Sequence, residues 1–250
     1  MSNEQLTPLY DKKETCPLCQ TAFTSKKIRS RFVKVDHTDS DFCPYYHDET
    51  ISPLLYFVKV CPSCGYSYTD QYQTYFFEGT KEEIINSVSM KWVPHDFGGE
   101  RTIHQAIQTY KLAFYCATLK KEKAIVIASI LLRLTWLYRR MGNEKEEERF
   151  MELTLEQLNG AYLDAYYGNT DLTEIRVLYL IGELNKRLGH YDEALTHLAR
   201  VVDKQNTTLE RKVVDLARQQ WFATRDILKE KDADQANNSA DENHTNEEAN

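Results

Sequence analysis

Glycine and proline together supply only 15 of the 250 residues, which excludes collagen-like and Gly/Pro-rich low-complexity chains. Long apolar runs are also missing. The most apolar stretch, Ala124 to Leu132, is stopped by Arg133, far short of the ~20 residues that a bilayer-spanning helix needs. The first residues, MSNEQLTPLYDKKE, carry neither a basic region nor an apolar one, so no secretory signal is expected. A phosphate-binding glycine loop, HExxH and GxSxG are all lacking, and with them the common signatures of nucleotide and hydrolase chemistry.

A one-signed charge field is missing too. The net charge is −7, but the last 22 residues hold seven of the 38 acidic and only two of the 31 basic side chains. The remainder is close to neutral and gives little field to hold a polyanion, so nucleic acid is disfavoured as the main partner. That same tail has no apolar side chain larger than alanine. It cannot bury enough surface to offset its ordering entropy, and disorder is expected over 229–250.

What is present is an ordinary globular composition, 42% hydrophobic and 28% charged. Cytoplasmic location and no membrane association are expected. In that compartment thiols stay reduced, and paired CxxC elements point to metal or redox chemistry rather than to structural disulfides. Residues 15–77 hold five of the six Cys, four of the six Pro and seven of the sixteen Tyr. Short strands are expected at Ala22–Phe23, Ile28–Val35 and Leu54–Val60.

Near residue 78 the apolar period becomes helical. Thr80–Lys–Glu–Glu83 has the form of a capping box and predicts a helix towards Met90; Pro94 and Gly98–Gly99 then mark a loop. Six further helices are expected near 101–120, 122–141, 143–160, 171–188, 191–204 and 208–228. Asp171–Leu–Thr–Glu174 resembles a second capping box. The breaks fall at Lys120–Lys121, Gly142–Asn143, Gly168–Asn169 and Gly189–His190, three of them with the glycine of helix-stop chemistry.

The helices contain an internal repeat. Leu137–Tyr–Arg–Arg–Met–Gly142 aligns with Leu184–Asn–Lys–Arg–Leu–Gly189, and the second copy extends as Leu178-x2-Ile181-Gly182-x2-Asn185 and Ala194-x3-Leu198. That spacing matches a tetratricopeptide repeat, in which small residues at 182 and 194 let paired helices approach. The first copy is eroded, with Glu147 at the small position, and its turn glycine lies 47 residues from the second instead of the ~34 of a regular array. An insertion at 159–171 fits the excess.

The strongest chemical signal is Cys16–Pro–Leu–Cys19 with Cys61–Pro–Ser–Cys64–Gly65. Thiolates at i and i+3 across a tight turn span one edge of a tetrahedron, so Cys16, Cys19, Cys61 and Cys64 are the expected ligands of one structural zinc ion. Proline presets φ for the turn, and glycine after the second Cys lets the backbone curl; Gln20 stands at that position in the first knuckle. The 41 residues between the knuckles exceed the roughly 15–20 of common four-cysteine motifs, which predicts an insertion at 36–53. A CPxC pair also serves thiol–disulfide oxidoreductases, but these place one CxxC at a helix start, a context absent here.

Other residues weigh less. Cys43, near His37 and His47, is either a redox or second-site ligand or, preferably, a buried thiol; Cys116 reads as core. Lys26, Lys27, Arg29, Arg31 and Lys34 form a basic stripe that Asp36, Asp39 and Asp41 can neutralise. Arg139–Arg140 and Lys186–Arg187 could hold an acidic peptide, although cations in a last helical turn also complement the dipole. His95, Asp96 and His104 have nothing at a supporting spacing to form a hydrolytic site.

With these residues laid out, the chain resembles an uncharacterised bacterial family, DUF2225. The resemblance rests on Cys16-x2-Cys19, Asp41–Phe–Cys–Pro–Tyr45, Leu55–Tyr56 leading to Cys61–Pro–Ser–Cys64–Gly65–Tyr66, Phe97–Gly–Gly–Glu–Arg101–Thr102, Tyr110–Lys–Leu–Ala113 and Trp136–Leu–Tyr–Arg139. It implies a cysteine-rich module followed by tetratricopeptide-like helices in a cytoplasmic protein, and it supplies no activity.

The expected architecture is α+β, mostly α: a four-cysteine zinc-ribbon-like β module at 1–78, a tetratricopeptide-like helical domain at 79–228 and a disordered acidic tail at 229–250. The expected role is a non-catalytic adaptor, binding a protein or peptide in the helical groove. A redox-sensing zinc-thiolate switch is the alternative, and a nucleic-acid-associated zinc ribbon the third reading.

Overall fold

The structure is a computed structural model that describes residues 6–168 and 170–247. It is mostly helical, with three two-stranded antiparallel sheets near the N-terminus. Strand β1 (Leu9–Thr15) pairs with β2 (Ala22–Ile28), β3 (Val35–Thr38) with β4 (Pro44–Tyr46), and β5 (Lys59–Val60) with β6 (Ser67–Tyr68). The helices are α1 (Thr80–Ser87), α2 (Ile103–Lys120), α3 (Ala124–Arg140), α4 (Glu144–Asp164), α5 (Glu174–Arg187), α6 (Tyr191–Asp203) and α7 (Arg211–Glu247).

Helix positions follow the apolar period closely, whereas the strands differ. Strand β1 is polar, LYDKKET, and has no hydrophobic signature. The expected strand at 28–35 is broken by a 3-10 turn at Ser30–Phe32. That at 54–60 is reduced to β5, because Pro53 opens a 3-10 turn through Tyr56. The insertion expected at 36–53 contains the β3–β4 hairpin.

Two local expectations need correction. Thr80 is already helical; the cap is Gly79 at φ 77°, and the Thr80 hydroxyl donates to Phe77 O. Asp171 lies three residues ahead of α5, with its carboxylate on Arg133 at 3.2 Å. The described capping box is instead at Thr102 and Gln105, opening α2.

The chain divides into two compact units, Met1–Thr173 and Glu174–Asn250. The composition shift at 78 marks a change of secondary structure. Within the first unit, buried polar bonds join the cysteine-rich segment to the helices: Tyr110 Oη donates to Leu54 O at 3.0 Å, Tyr72 Oη to Ala113 O at 2.5 Å, and Ser67 N–H to Cys116 Sγ at 3.4 Å. Helix α3 is the core of this unit, with thirteen of its 17 residues buried.

The second unit is α5, α6 and α7. Helices α5 and α6 pack together where the repeat pattern has its small residues, and a Cβ at Gly182 would lie 2.8 Å from Leu198 Cγ. The helix stops at Gly142 and Gly189 share one backbone pattern. Gly142 N–H bonds Arg139 O and Asn143 N–H bonds Tyr138 O; Gly189 N–H bonds Lys186 O and His190 N–H bonds Asn185 O. This is the Schellman arrangement that a left-handed glycine permits. Helix α4 stops differently, on Ala165 at φ 49°, so Gly168 is not its stop.

Helix α7 runs on to Glu247, through most of the segment whose composition predicts disorder; residues 248–250 lie outside the described ones. Helix propagation adds a backbone bond per residue without needing an apolar face, and Ala, Lys, Glu and Gln favour it. Among the described residues no helix is long and apolar enough to cross a membrane.

Candidate metal centre

Each CxxC forms the tip of a hairpin, the first joining β1 to β2 and the second joining β5 to β6. The two tips share one bonding pattern. Gln20 N–H reaches Cys16 O and Gly65 N–H reaches Cys61 O, each at 2.9 Å; Cys16 N–H reaches Thr21 O and Cys61 N–H reaches Tyr66 O, each at 3.0 Å. Gln20 at φ 63° and Gly65 at φ 71° occupy the same left-handed position. The departure at Gln20 therefore leaves the turn intact at the cost of an unfavourable φ. At Gly65 a side chain is excluded on a second ground: a Cβ would lie 2.5 Å from Trp92 Cδ2. Trp92 is held over this knuckle by its Nε1–H bond to Pro62 O at 2.9 Å.

The turns aim amides at sulfur, those of Leu18 and Cys19 at Cys16 and those of Ser63 and Cys64 at Cys61. The four sulfurs of Cys16, Cys19, Cys61 and Cys64 lie within 4.8 Å of one another. The close contacts run between knuckles, Cys16 to Cys64 at 3.7 Å and Cys19 to Cys61 at 3.6 Å. A tetrahedral ion with metal–sulfur bonds of ~2.3 Å has edges of about 3.8 Å. The donors and their spacing thus fit one metal ion. Cys16, Cys61 and Cys64 are buried, and Cys19 is exposed.

Electrostatics agree with that fit. The Cys64 S–H hydrogen bond pulls the Cys16 thiol down to about 5, and Cys64 moves up in return. The two sulfurs face each other at 3.7 Å, in the place where a cation would neutralise two thiolates. Burial pushes Cys61 up to about 11, and a bound cation would offset that penalty as well.

The other sequence candidates do not join a site; the four cysteines are the one group of three or more metal-type ligands among the described residues. Cys43 is fully buried, and burial together with the Asp41 charge pushes its thiol up to about 12. Its neighbours in sequence point elsewhere: exposed His37 stacks on Tyr45 at 4.5 Å, and His47 is exposed. Cys116 is core, and burial pushes it up to about 12. Asp96 accepts the Gly98 amide at 2.6 Å, His95 packs edge-on against Phe97, and His104 is exposed on α2.

The paired arginines have a role that sequence reasoning missed. Arg139 grips Asp41 with both terminal nitrogens, at 3.0 and 2.6 Å, and also pairs with Asp39 and Glu147. Arg140 bonds Glu49 and Pro44 O. Both arginines tie the 36–53 insertion to α3. They are neither a peptide clamp nor simple dipole complements. Asp39 and Asp41 are therefore taken by α3, and the basic stripe finds other partners: Lys26 pairs with Asp11 at 2.9 Å, and Arg29 lies over Tyr10. Lys186 and Arg187 both pair with Glu183 at 2.9 Å.

Asp41 is the centre of this anchor. Its side chain is fully buried, accepting from the Cys43 amide at 3.2 Å and from Trp136 Nε1 at 3.1 Å as well as from Arg139. Arg101 forms a parallel anchor, donating to Val58 O at 2.7 Å, Leu55 O at 3.2 Å and Phe97 O at 2.7 Å; burial pulls its guanidinium down to about 10. The segments DFCPY and WLYR thus meet in space, as do LY and FGGER. The available signal was the presence of acidic and basic residues inside otherwise apolar or aromatic strings.

Two hairpin-tip knuckles whose four thiols converge, set in a mostly helical chain, form a four-cysteine cluster that could hold a metal ion. The family described as an uncharacterized protein conserved in bacteria, DUF2225, matches residues 9–224, and the chain belongs to it. Searches of curated proteins and of solved structures each found no match.

Proposed function

We propose that this is a cytoplasmic, non-catalytic adaptor that holds one structural zinc ion at Cys16, Cys19, Cys61 and Cys64 and presents its helices to a protein or peptide partner. The observation that carries the metal reading is the inter-knuckle sulfur spacing of 3.6 and 3.7 Å. All-thiolate tetrahedral sites suit zinc or iron, and a closed site of this kind contributes folding energy. The paired knuckles then act as a zinc-ribbon-like unit. The adaptor reading is supported by the α5–α6 hairpin, where Gly182 meets Leu198 as a tetratricopeptide repeat requires. It is supported further by the matching stops at Gly142 and Gly189. In the eroded copy, Glu147 serves the Arg139 anchor instead of helix packing.

Affinity capture from the native cell with the full chain, compared with Gly182→Leu, tests the adaptor role. The substitution forces α5 from α6 and leaves the cysteines untouched. The expected result is loss of the captured partner with zinc retained; undiminished capture by Gly182→Leu contradicts a repeat-borne interface. One observation favours the redox-switch reading: Cys19 is the exposed ligand, and an accessible thiolate is open to oxidation. Mild peroxide with a zinc dye separates the two, since an adaptor keeps its metal and a switch releases it reversibly.

A further inference from the structure

The β1–β2 register sets Lys12 opposite Ser25, Tyr10 opposite Lys27 and Glu14 opposite Phe23. Directly opposed residues share a face, so one face of this hairpin carries Lys12, Glu14, Ser25 and Lys27. Ser25 and the Glu14 side chain are withdrawn from water on this face, whereas Lys12 is partly exposed and Lys27 exposed. With Lys59 and Asp70 the face lines a cavity of about 200 Å³. Ser25 is only 3% exposed and Lys59 only 8%. The opposite wall is apolar and aromatic, made by Ile28, Val33, Pro53, Tyr56 and Phe57.

The charges in this cavity do not balance internally. Glu14 lies 2.8 Å from Lys12 and 3.0 Å from Lys59, and Lys59 also bonds Asp70. Lys26, at the rim, is paired outside the cavity with Asp11. Four lysines line the space against two carboxylates; Lys27 makes no close ion pair among the described residues, and its charge acts on Asp70 from a distance. A second observation is independent of charge: Ser25 Oγ is buried with no hydrogen-bond partner. A hydroxyl withdrawn from water without a partner destabilises the fold, and a ligand acceptor would relieve that cost.

We propose that this cavity binds a small organic anion. Its phosphoryl or carboxyl oxygens would meet the lysines and Ser25 Oγ, and a compact apolar body would lie against Tyr56 and Phe57. The space lies below the ~300 Å³ at which pockets for drug-sized ligands begin, so the ligand is a small metabolite. The site is separate from the cysteine centre and does not depend on the zinc or adaptor readings.

Titration calorimetry on the full chain, purified without chelator, at low salt tests this, with phenyl phosphate and benzoate as the two anion probes and benzylamine as the cationic control. One phenyl phosphate or benzoate per chain is expected, with affinity falling as salt rises; the tighter of the two identifies the headgroup. Ser25→Ala should weaken binding about tenfold, in line with loss of one charge-assisted hydrogen bond, and Lys27→Glu should abolish it. Circular dichroism establishes that each variant is folded. In the unaltered protein, amide shifts at Lys12 and Ser25 should track the same isotherm, which keeps the test decisive if a variant misfolds. Absence of saturable anion binding, equal binding of benzylamine, or shifts confined to other regions overturns the proposal.

Discussion

Asp41 shows how much one side chain can hold. Burial alone would pull the Arg139 guanidinium down, yet the bonds and charges of Asp41 and Glu147 keep it above its usual range. Removing one partner of a buried pair leaves an uncompensated charge, so Asp41→Ala should cost about 3–5 kcal/mol; chemical denaturation followed by tryptophan fluorescence measures it. A loss under about 1 kcal/mol, the scale of a surface pair, would deny Asp41 this role. The thiols divide by environment. After chelation, Cys19, the exposed member of the four, should react first with a thiol reagent in the folded protein, while Cys43 and Cys116, both buried and pushed up to about 12, should react only on unfolding. Fast reaction of Cys43 or Cys116 in the folded protein would contradict this burial pattern. His197 predicts a pH effect: burial and Arg200 hold its pKa below the usual 6.5, against the raising effect of Glu193. Above 6.5 the ring is neutral in both states. As pH falls through that value the unfolded chain takes up a proton that the folded one resists, so stability falls. Thermal melts across this range should show the drop, and His197→Gln should flatten it.

Among the elements, α5 and α6 make the sharpest prediction. Alanine at 182 would gain ~1 kcal/mol of helix propensity over glycine, but its Cβ would sit 2.8 Å from Leu198 Cγ and 3.2 Å from Leu198 N. Overpacking of this kind costs about 1–3 kcal/mol, so Gly182→Ala should destabilise, and a gain in melting temperature would refute the close packing. The helices were legible because their apolar period is long and two of their stops are glycines with positive φ, Gly142 and Gly189. Stops on Lys121 and Ala165, also left-handed, carry no such mark. Strand β1 was hidden because its inward face bears Lys12 and Glu14 in place of apolar residues. The true capping box at Thr102 and Gln105 was written in the sequence as T-x-x-Q, whereas Thr80 offered the same pattern beside a glycine that took the cap.

On the scale of the whole chain, the four-cysteine cluster was legible from two CPxC strings, since pairs of thiols at that spacing can each span one edge of a tetrahedral site. The long-range bonds inside the first unit were not legible. Composition changes at 78, but bonds such as Asp41 to Arg139 and Arg101 to Val58 join residues on either side of it, and no local pattern announces them. The central claim is that two hairpin tips, 41 residues apart, close on a single ion. X-ray absorption at the zinc edge, on protein purified without chelator, tests it most directly. The account predicts one zinc per chain with four sulfur neighbours at ~2.3 Å, reduced by Cys16→Ser or Cys61→Ser alike. A shell containing nitrogen or oxygen, or metal content indifferent to either substitution, would contradict it.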